Sequence, residues 1–331
     1  MALMPAFFPS LVAFAAAVVM SLASIAIALR SGLAWRIMDE PNHRSMHASA
    51  TPRTGGLCFV PLVLLLAVAA GGAPLWPLLA LALGLSLVSL CDDIWDLPAG
   101  VRFFFHIAAA AAVLSLYPLS SLWLSVFAVF ALVWMTNLFN FMDGLDGFAG
   151  GMALFGFGAY AVAAILGGSI AIAAICAAVA GGAAAFLFFN INPARIFMGD
   201  AGSVPLGFLA GAIGVAGTVS GVWHLWFPAL AFSLFIVDAT VTLLRRLSRG
   251  EKVWQAHRTH YYQRLAVSRV GRRRTANGSY VIMLAAAGSA VLLNRDPGAA
   301  VVVVLVCWTL FYAGLLVAID LYLKRSAGAQ E

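Results

Sequence analysis

Six of the 13 acidic residues lie in three short polar segments, each beside a long apolar run. They are Asp92, Asp93 and Asp96 in the first segment, Asp143 and Asp146 in the second, and Asp200 in the third. A carboxylate next to an apolar segment is costly to bury unless a cation or hydrogen bonds compensate it. Few basic residues lie near these acids in the sequence. A hard divalent cation such as Mg²⁺, which prefers oxygen ligands, would compensate them.

The segment FMGDAGS favours an anionic ligand. Gly199 and Gly202 allow the backbone to approach a ligand closely, and Asp200 and Ser203 lie where the next apolar run begins. A helix that starts there presents free N–H groups and a partial positive charge, which suit a phosphate.

The second segment, FNFMDGLDG, carries Asn140, Asp143 and Asp146 at intervals of three residues. A helical turn would bring these side chains near one face. Together, the acidic segments predict metal-assisted phosphoryl chemistry.

Two basic loops add candidate substrate-binding residues. The loop PNHRSMHASATPRTGG contains Arg44, His47 and Arg53, and the loop HRTHYYQRL contains His257, His260 and Arg264. Basic loop residues can simply anchor a protein at lipid headgroups. Histidine adds little positive charge at neutral pH and is a poor anchor, so we expect His257 and His260 to bind substrate.

Helices that cross a membrane must position these segments. The chain of 331 residues is 63% hydrophobic and 10% charged, whereas a soluble domain is roughly half apolar and about a quarter charged. The apolar residues form runs of about twenty, the length that a helix needs to cross a bilayer, without the alternation of barrel strands. The sequence therefore predicts an all-α, polytopic integral membrane protein with one domain, residues 1–331, and no nucleic-acid partner.

We predict about 11 transmembrane helices. They lie at about 6–29, 55–72, 75–91, 103–118, 121–139, 147–167, 169–189, 204–221, 223–244, 276–293 and 299–322. Of the 19 Lys and Arg residues, all but Arg295 fall in one set of loops. The positive-inside rule places that set in the cytoplasm, so the N-terminus is periplasmic and the C-terminus cytoplasmic. The predicted cytoplasmic catalytic loops are about 30–54, 92–102, 140–147, 190–203 and 245–275.

Asp238 lies inside the predicted ninth span, seven residues before Arg245. An acid within a membrane segment indicates a functional site, and a structural hydrogen bond to a neighbouring helix explains it equally well. Both interpretations stay open from the sequence.

The motifs resemble those of the polyprenyl-phosphate N-acetylhexosamine-1-phosphate transferases, which form glycosyltransferase family 4. The matching segments run in family order from residue 41 to about 265. They are PNHRSMH with TPRTGG, the Asp92–Asp93 pair, NLFNFMDGLDGFAGG, NINPARIFMGDAGS and the HRTH loop. The resemblance implies an enzyme of the bacterial inner membrane whose active site faces the cytoplasm. Such an enzyme joins the phosphate of undecaprenyl phosphate to the sugar 1-phosphate of a UDP-N-acetylhexosamine and releases UMP.

The resemblance also implies roles for individual residues. Asp200 would be the metal ligand, and Asp92 and Asp93 would serve catalysis beside the lipid phosphate, with both as further candidate ligands. Which of the two is a base or a nucleophile stays open. The metal would be Mg²⁺, with Mn²⁺ as the alternative. The expected substrate-binding residues are Arg44, His47, Arg53, Asn140, Asp143, Asp146, Asn190, His257, His260 and Arg264. Relatives also imply a homodimer surrounded by membrane lipids.

Two departures from the family pattern bear on the sugar. The branch that transfers a cell-wall pentapeptide sugar has a lysine after its aspartate pair, whereas this chain has Asp96 at that position. That branch also has a run of histidines in its last loop, whereas this chain has His257-Arg-Thr-His260. The chain looks more like the enzymes that start O-antigen or other surface polysaccharides. GlcNAc, FucNAc and QuiNAc are all open as the sugar.

Two other classes of protein fit parts of this sequence. A transporter or lipid flippase would use intramembrane acids such as Asp238, but transporters place most polar residues near the bilayer midplane, whereas here they collect at one surface. A catalytically inactive scaffold would not be expected to keep all the acidic motifs intact.

Overall fold

The computed structural model describes residues 4–39, 50–252, 257–295 and 298–328. Thirteen α-helices lie within these ranges, and every predicted span coincides with one of them or with two consecutive ones. They are α1 (Met4–Arg30), α2 (Gly55–Ala67), α3 (Trp76–Trp95), α4 (Ala99–Leu116), α5 (Leu122–Phe141), α6 (Phe148–Leu166), α7 (Ile170–Asn190), α8 (Asp200–Val219), α9 (Trp226–Ala231), α10 (Ser233–Ser248), α11 (Tyr261–Val267), α12 (Arg272–Arg295) and α13 (Ala300–Gly328).

Nine helical stretches in the described part of the chain are long and apolar enough to cross a membrane. This confirms the predicted all-α, polytopic architecture, although the count is lower than the eleven spans predicted. One difference arises because Gly55–Trp95 forms a single helical stretch that contains two predicted spans. The chain turns within it at Gly71, which has a φ of 109°, a conformation that glycine adopts without steric cost.

The other difference lies in the predicted span 223–244, which is broken at Phe232 into α9 and α10. With 16 residues, α10 is about 24 Å long, less than the ~30 Å of a hydrocarbon core. The Phe232 ring is fully buried and packs edge-on against Phe157 and Tyr160, with ring centroids 5.6 and 5.3 Å apart. The break therefore lies at an aromatic contact with α6.

Helices α6, α7 and α8 form the centre of the bundle, and α1 and α13 lie at its periphery. Lipid provides no hydrophobic driving force between helices, so they associate through close packing of small residues. Helix α7 is rich in alanine and glycine. A Cβ atom at Gly182 would lie 2.5 Å from Val63 of α2, and one at Gly207 of α8 would lie 2.5 Å from the Met135 carbonyl of α5. These glycines therefore bring the backbones into near contact.

A two-residue strand pair joins the first loop to the segment before α8. Strand β1 (Met38–Asp39) pairs antiparallel with β2 (Thr51–Pro52). The Pro52 carbonyl then accepts a hydrogen bond from the Phe197 N–H at 2.7 Å, and the Phe197 carbonyl accepts one from Gly55 N–H at 2.9 Å. These backbone bonds hold the chain just before Asp200 against the start of α2.

Candidate active site

A cavity of about 550 Å³ lies where α3, α4, α5, α8 and α10 meet. Its wall is mostly apolar and aromatic, with Phe103, Phe130 and Trp134 among the lining residues. The charged and amide side chains that line it are Asp92, Arg102, His106, Asn137, Asn140 and Asp200. The cavity therefore joins a polar end, where two predicted aspartates meet, to a wall suited to an apolar chain.

The two adjacent aspartates of α3 face different partners. The Asp92 carboxylate lines the cavity and accepts hydrogen bonds from Arg102 at 2.7 Å and from the Leu97 N–H at 2.9 Å. The carboxylate of Asp93 lies 3.4 Å from a guanidinium nitrogen of Arg53. Successive residues of a helix are ~100° apart around its axis, so the pair diverges. The structure brings Asp92, and not Asp93, into the cavity with Asp200.

Asp200 is the first residue of α8, as the FMGDAGS motif predicts. The preceding Gly199 has a φ of 71°, and a Cβ atom there would overlap the carbonyl oxygen of Arg53. Glycine is therefore required by both the backbone conformation and the space. Asn140 faces the Asp200 carboxylate and donates a hydrogen bond to Ser203 Oγ at 3.2 Å. The ends of α5 and α8 are thus joined around Asp200.

The donors around Asp200 fit a hard cation. Asp92 and Asp200 line the same cavity, and the Asn140 amide lies beside them. The part of the chain that the structure describes contains no group of three or more His, Cys, Asp or Glu side chains placed to hold a metal ion. Mg²⁺ is usually bound by one or two carboxylates, with waters and substrate phosphates as its other ligands. The two carboxylates match that pattern.

The segment after Asn140 differs from the helical turn that its spacing suggested. Helix α5 ends at Phe141, and Asp143 and Asp146 lie in the turn that leads to α6. Gly147, with a φ of 79°, precedes the first residue of α6. The expectation of three polar side chains on one helical face was therefore wrong, because only Asn140 is within a helix.

Asp146 and Asn190 hold the loops together. The carboxylate of Asp146 accepts hydrogen bonds from Asn192 Nδ2 at 2.7 Å and from the Ala194 N–H at 3.2 Å. Asn190 is buried, accepts a hydrogen bond from the Gly147 N–H at 2.8 Å and donates one to the Ile196 carbonyl at 2.8 Å. Both polar atoms of the Asn190 side chain are thus engaged with the backbone, which gives this residue a structural role.

The acid inside the broken span caps a short helix. The carboxylate of Asp238 accepts hydrogen bonds from the N–H groups of Tyr261 and Tyr262, both at 2.9 Å, where α11 begins. His260 Nδ1 lies 3.4 Å from the same carboxylate. The Tyr262 hydroxyl donates to the Phe141 carbonyl at 3.0 Å. Asp238 therefore fixes the histidine loop, which in turn contacts the end of α5 beside Asn140.

Arg264 points away from this loop toward α13. Its guanidinium donates to Asp320 Oδ1 at 2.8 Å, and Arg245 and the Tyr261 hydroxyl both donate to Asp320 Oδ2. At intervals of three and four residues, His257, His260 and Arg264 would share one face if they lay in a continuous helix. The structure places both histidines before α11, which begins at Tyr261, so the three side chains do not share a helical face.

The two histidine rings lie together, with centroids 4.8 Å apart. Burial, the adjacent His260 and the charge of Arg246 lower the pKa of His257 from its usual 6.5 to about 4. Burial is also the main cause that raises the pKa of Tyr262, and the charges of Asp238 and Asp143 act in the same direction. At neutral pH, His257 is therefore uncharged and Tyr262 keeps its proton.

The lowered pKa of His257 predicts a loss of stability in acid. Between about pH 6.5 and pH 4 the unfolded chain binds a proton at His257 that the folded chain does not, so stability falls as the pH falls through that window. Thermal unfolding of the purified protein in detergent, measured from pH 7.5 to 4.5, should show this decline. The variant His257→Gln should show a smaller decline, and an identical pH profile for both proteins would contradict the assignment.

Of the remaining predicted site residues, only Arg53 lies within the described part of the chain. Arg44 and His47 lie outside the described residues, whereas Arg53 lies beside Asp93 and Gly199. His106 and Asn137 also line the cavity, although neither was predicted from the sequence as a site residue. Their positions inside predicted spans could have indicated a site, because polar residues within membrane segments are rare and often functional.

Similarities to known proteins agree with this geometry. Residues 75–218 match the model of glycosyl transferase family 4. A Bacillus subtilis protein named probable undecaprenyl-phosphate N-acetylglucosaminyl 1-phosphate transferase is 28% identical over 284 residues, covering 78% of this chain and 77% of that protein. A phospho-N-acetylmuramoyl-pentapeptide-transferase of Lactobacillus delbrueckii subsp. bulgaricus is 30% identical over 263 residues, covering 69% of this chain and 80% of that protein. The predicted resemblance is thereby confirmed, and the chain belongs to glycosyl transferase family 4, the polyprenyl-phosphate N-acetylhexosamine-1-phosphate transferases.

Proposed function

We propose that this bacterial membrane protein transfers an N-acetylhexosamine 1-phosphate from a UDP-sugar to undecaprenyl phosphate and releases UMP. The observation that carries the proposal is the cavity in which Asp92 and Asp200 meet an apolar wall. A lipid with a charged head needs both surfaces at one place. The name of the Bacillus subtilis relative contains undecaprenyl phosphate, which supports the same lipid acceptor.

In the proposed reaction, an oxygen of the lipid phosphate attacks the sugar-linked phosphorus of the UDP-sugar. The new phosphorus–oxygen bond gives a lipid diphosphate sugar, and the bond to the oxygen of UMP breaks. Catalysis of phosphoryl transfer consists mainly of positioning and charge stabilisation. Asp92, held by Arg102 and the Leu97 N–H, is positioned at the cavity, and the N-terminus of α8 places its free N–H groups beside Asp200.

We propose Mg²⁺, with Mn²⁺ as the alternative, as the metal that Asp200 and Asp92 hold. Such an ion would neutralise charge on the diphosphate. The ion pair of Asp93 with Arg53 supports a positioning role for Asp93 at the loop that contains Arg53. We propose that Asn140 and Asp143 contact the nucleotide or shape the metal site, and that Asp146 orders the loop around them.

For the sugar diphosphate we propose recognition by the loop of His257 and His260, together with Arg53 and the residues before it. The uncharged His257 side chain can donate or accept a hydrogen bond with the sugar. Arg264 is paired with Asp320, so we propose a role for it in anchoring α11. The proposed sugar is one of GlcNAc, FucNAc and QuiNAc, and the product would initiate a surface polysaccharide such as O-antigen. The active site would face the cytoplasm of the bacterial inner membrane.

Release of UMP tests this proposal directly. Purified protein in detergent, supplied with undecaprenyl phosphate, Mg²⁺ and each of a panel of UDP-N-acetylhexosamines, should release UMP with at least one sugar. Omission of the lipid or chelation of the metal should abolish the release. Absence of release with every sugar, from protein shown to be folded by its thermal unfolding, would favour the transporter or scaffold alternatives. The same panel identifies the sugar.

A further inference from the structure

His106 is a buried side chain of α4 that lines the cavity and has no role in the mechanism described above. It lies four residues after Arg102, which also lines the cavity. Residues at this spacing lie on the same helical face, and the helical rise separates them by ~6 Å along the axis. Arg102 and His106 therefore form a row of two polar side chains on a wall where their neighbours Phe103 and Phe130 are apolar.

The contacts of Asn137 determine which nitrogen of His106 carries the proton. Asn137 Nδ2 lies 2.7 Å from the Val133 carbonyl oxygen and 3.2 Å from His106 Nδ1. A carbonyl oxygen can only accept a hydrogen bond, so the atom beside it is the NH₂ group of the amide. The same NH₂ group then donates to His106 Nδ1, which must be unprotonated. The proton of this imidazole is therefore on Nε2.

The Nε2–H group of His106 borders open cavity. Nε2 has no hydrogen-bond partner among the described residues. It is also accessible, because it is absent from the fully enclosed polar atoms that lack a partner in the described part of the chain. A donor at the edge of a cavity with apolar walls is suited to an acceptor atom of a ligand. Of the two polar side chains of α4 on this wall, Arg102 donates to Asp92. His106 has no hydrogen bond or ion pair with either carboxylate of the cavity, Asp92 or Asp200, within the described ranges.

We propose that His106 binds a phosphate oxygen of the lipid acceptor through Nε2–H, and that Asn137 is the positioning residue that fixes this tautomer. This inference rests on the proposed function. An anionic oxygen is the acceptor that a fixed N–H donor binds most strongly. The position of His106, beyond Arg102 on the apolar wall, fits the head of a lipid that enters along that wall rather than a water-soluble nucleotide sugar.

Substitutions at His106 separate this contact from a structural role. His106→Gln keeps an N–H donor near the position of Nε2, whereas His106→Asn keeps a polar atom near the position of Nδ1 only. We expect His106→Gln to retain the wild-type apparent KM for undecaprenyl phosphate. His106→Asn should raise it about 10- to 100-fold, the loss expected for one hydrogen bond to a charged group. The KM for the UDP-sugar should change in neither variant.

Inhibition by farnesyl phosphate and by farnesol shows whether the contact is with the phosphate. His106→Asn should weaken inhibition by farnesyl phosphate and leave inhibition by farnesol unchanged. Asn137→Leu should produce a smaller shift in the same direction. The control is His224→Asn in the loop between α8 and α9, where the side chain is exposed, and it should leave every parameter unchanged.

Specific outcomes would overturn the inference. If His106→Asn had normal kinetics and His106→Gln had a raised KM for the lipid, the important contact would be the one between Nδ1 and Asn137. His106 would then have no contact with the phosphate. If His106→Asn weakened inhibition by farnesyl phosphate and by farnesol equally, His106 would contact the apolar chain and not the phosphate. UMP release by the wild-type protein is established first, so failure of the proposed function is distinguished from failure of this inference. Thermal unfolding of each variant confirms that it is folded.

Discussion

Replacement of Asp200 by asparagine is expected to lower kcat by about 10³-fold, equivalent to ~4 kcal/mol of transition-state stabilisation. The substitution changes the volume of the side chain little and removes the negative charge at the start of α8. The neighbouring Asn140 and Ser203 can still pack against the amide, so the protein should fold. UMP release at saturating concentrations of both substrates measures kcat, and titration with Mg²⁺ should show a weaker apparent affinity for the metal.

Asp96→Asn is the matched control for this prediction. Asp96 is exposed at the end of α3 and has a φ of 50°, a conformation that asparagine also tolerates. The same change of charge on the same side of the bundle should leave kcat within about twofold of the wild-type value, as for other surface substitutions. Near-normal turnover of Asp200→Asn would show that the metal is held by other residues.

Replacement of Asp238 by alanine is expected to destabilise the protein by about 3 kcal/mol. The change leaves two buried N–H groups at the start of α11 without their acceptor, and each unsatisfied group costs ~1–3 kcal/mol. It also removes the carboxylate beside the buried His260. Thermal unfolding in detergent should show a clear decrease of Tm. Because α11 holds the histidine loop, the KM for the UDP-sugar should rise in protein that stays folded.

Asp320→Ala provides the comparison for Asp238→Ala. Asp320 also accepts several hydrogen bonds, including those from Arg245 and Arg264, but these side chains are partly exposed. Exposed ion pairs contribute ~0–1 kcal/mol, so the Tm should decrease much less. A larger loss of stability for Asp320→Ala than for Asp238→Ala would contradict the assignment of Asp238 as the buried cap.

The long apolar runs and the acidic motifs were sufficient to predict the helices and the approach of α3, α5 and α8. Asp200 could be placed at the start of a helix because FMGDAGS combines glycines, an acid and the beginning of an apolar run. The break at Phe232 could not be predicted, because the feature found there is a contact with aromatic rings of α6. Local composition contains no sign of those tertiary contacts.

The roles of single polar residues were also beyond the sequence. Asp92 and Asp93 are neighbours, and only the rotation of α3 within the bundle determines which of them faces the cavity. From the sequence, Asp238 was open between a functional site and a structural hydrogen bond, and its contacts with the N–H groups of α11 are visible only in the fold. The tautomer of His106 depends on one amide of α5, a contact between residues that are 31 positions apart.

Phe103 and Phe130 line the cavity, are largely exposed, and belong to helices long and apolar enough to cross a membrane, so we expect the cavity to open sideways toward the surrounding lipid. An acceptor that entered there would diffuse in two dimensions and would not pass through water. Its effective concentration is then its mole fraction in the membrane or micelle, and not its amount per volume of buffer. Addition of detergent at a constant quantity of acceptor should slow turnover by surface dilution, whereas dilution of the whole mixed micelle solution should not.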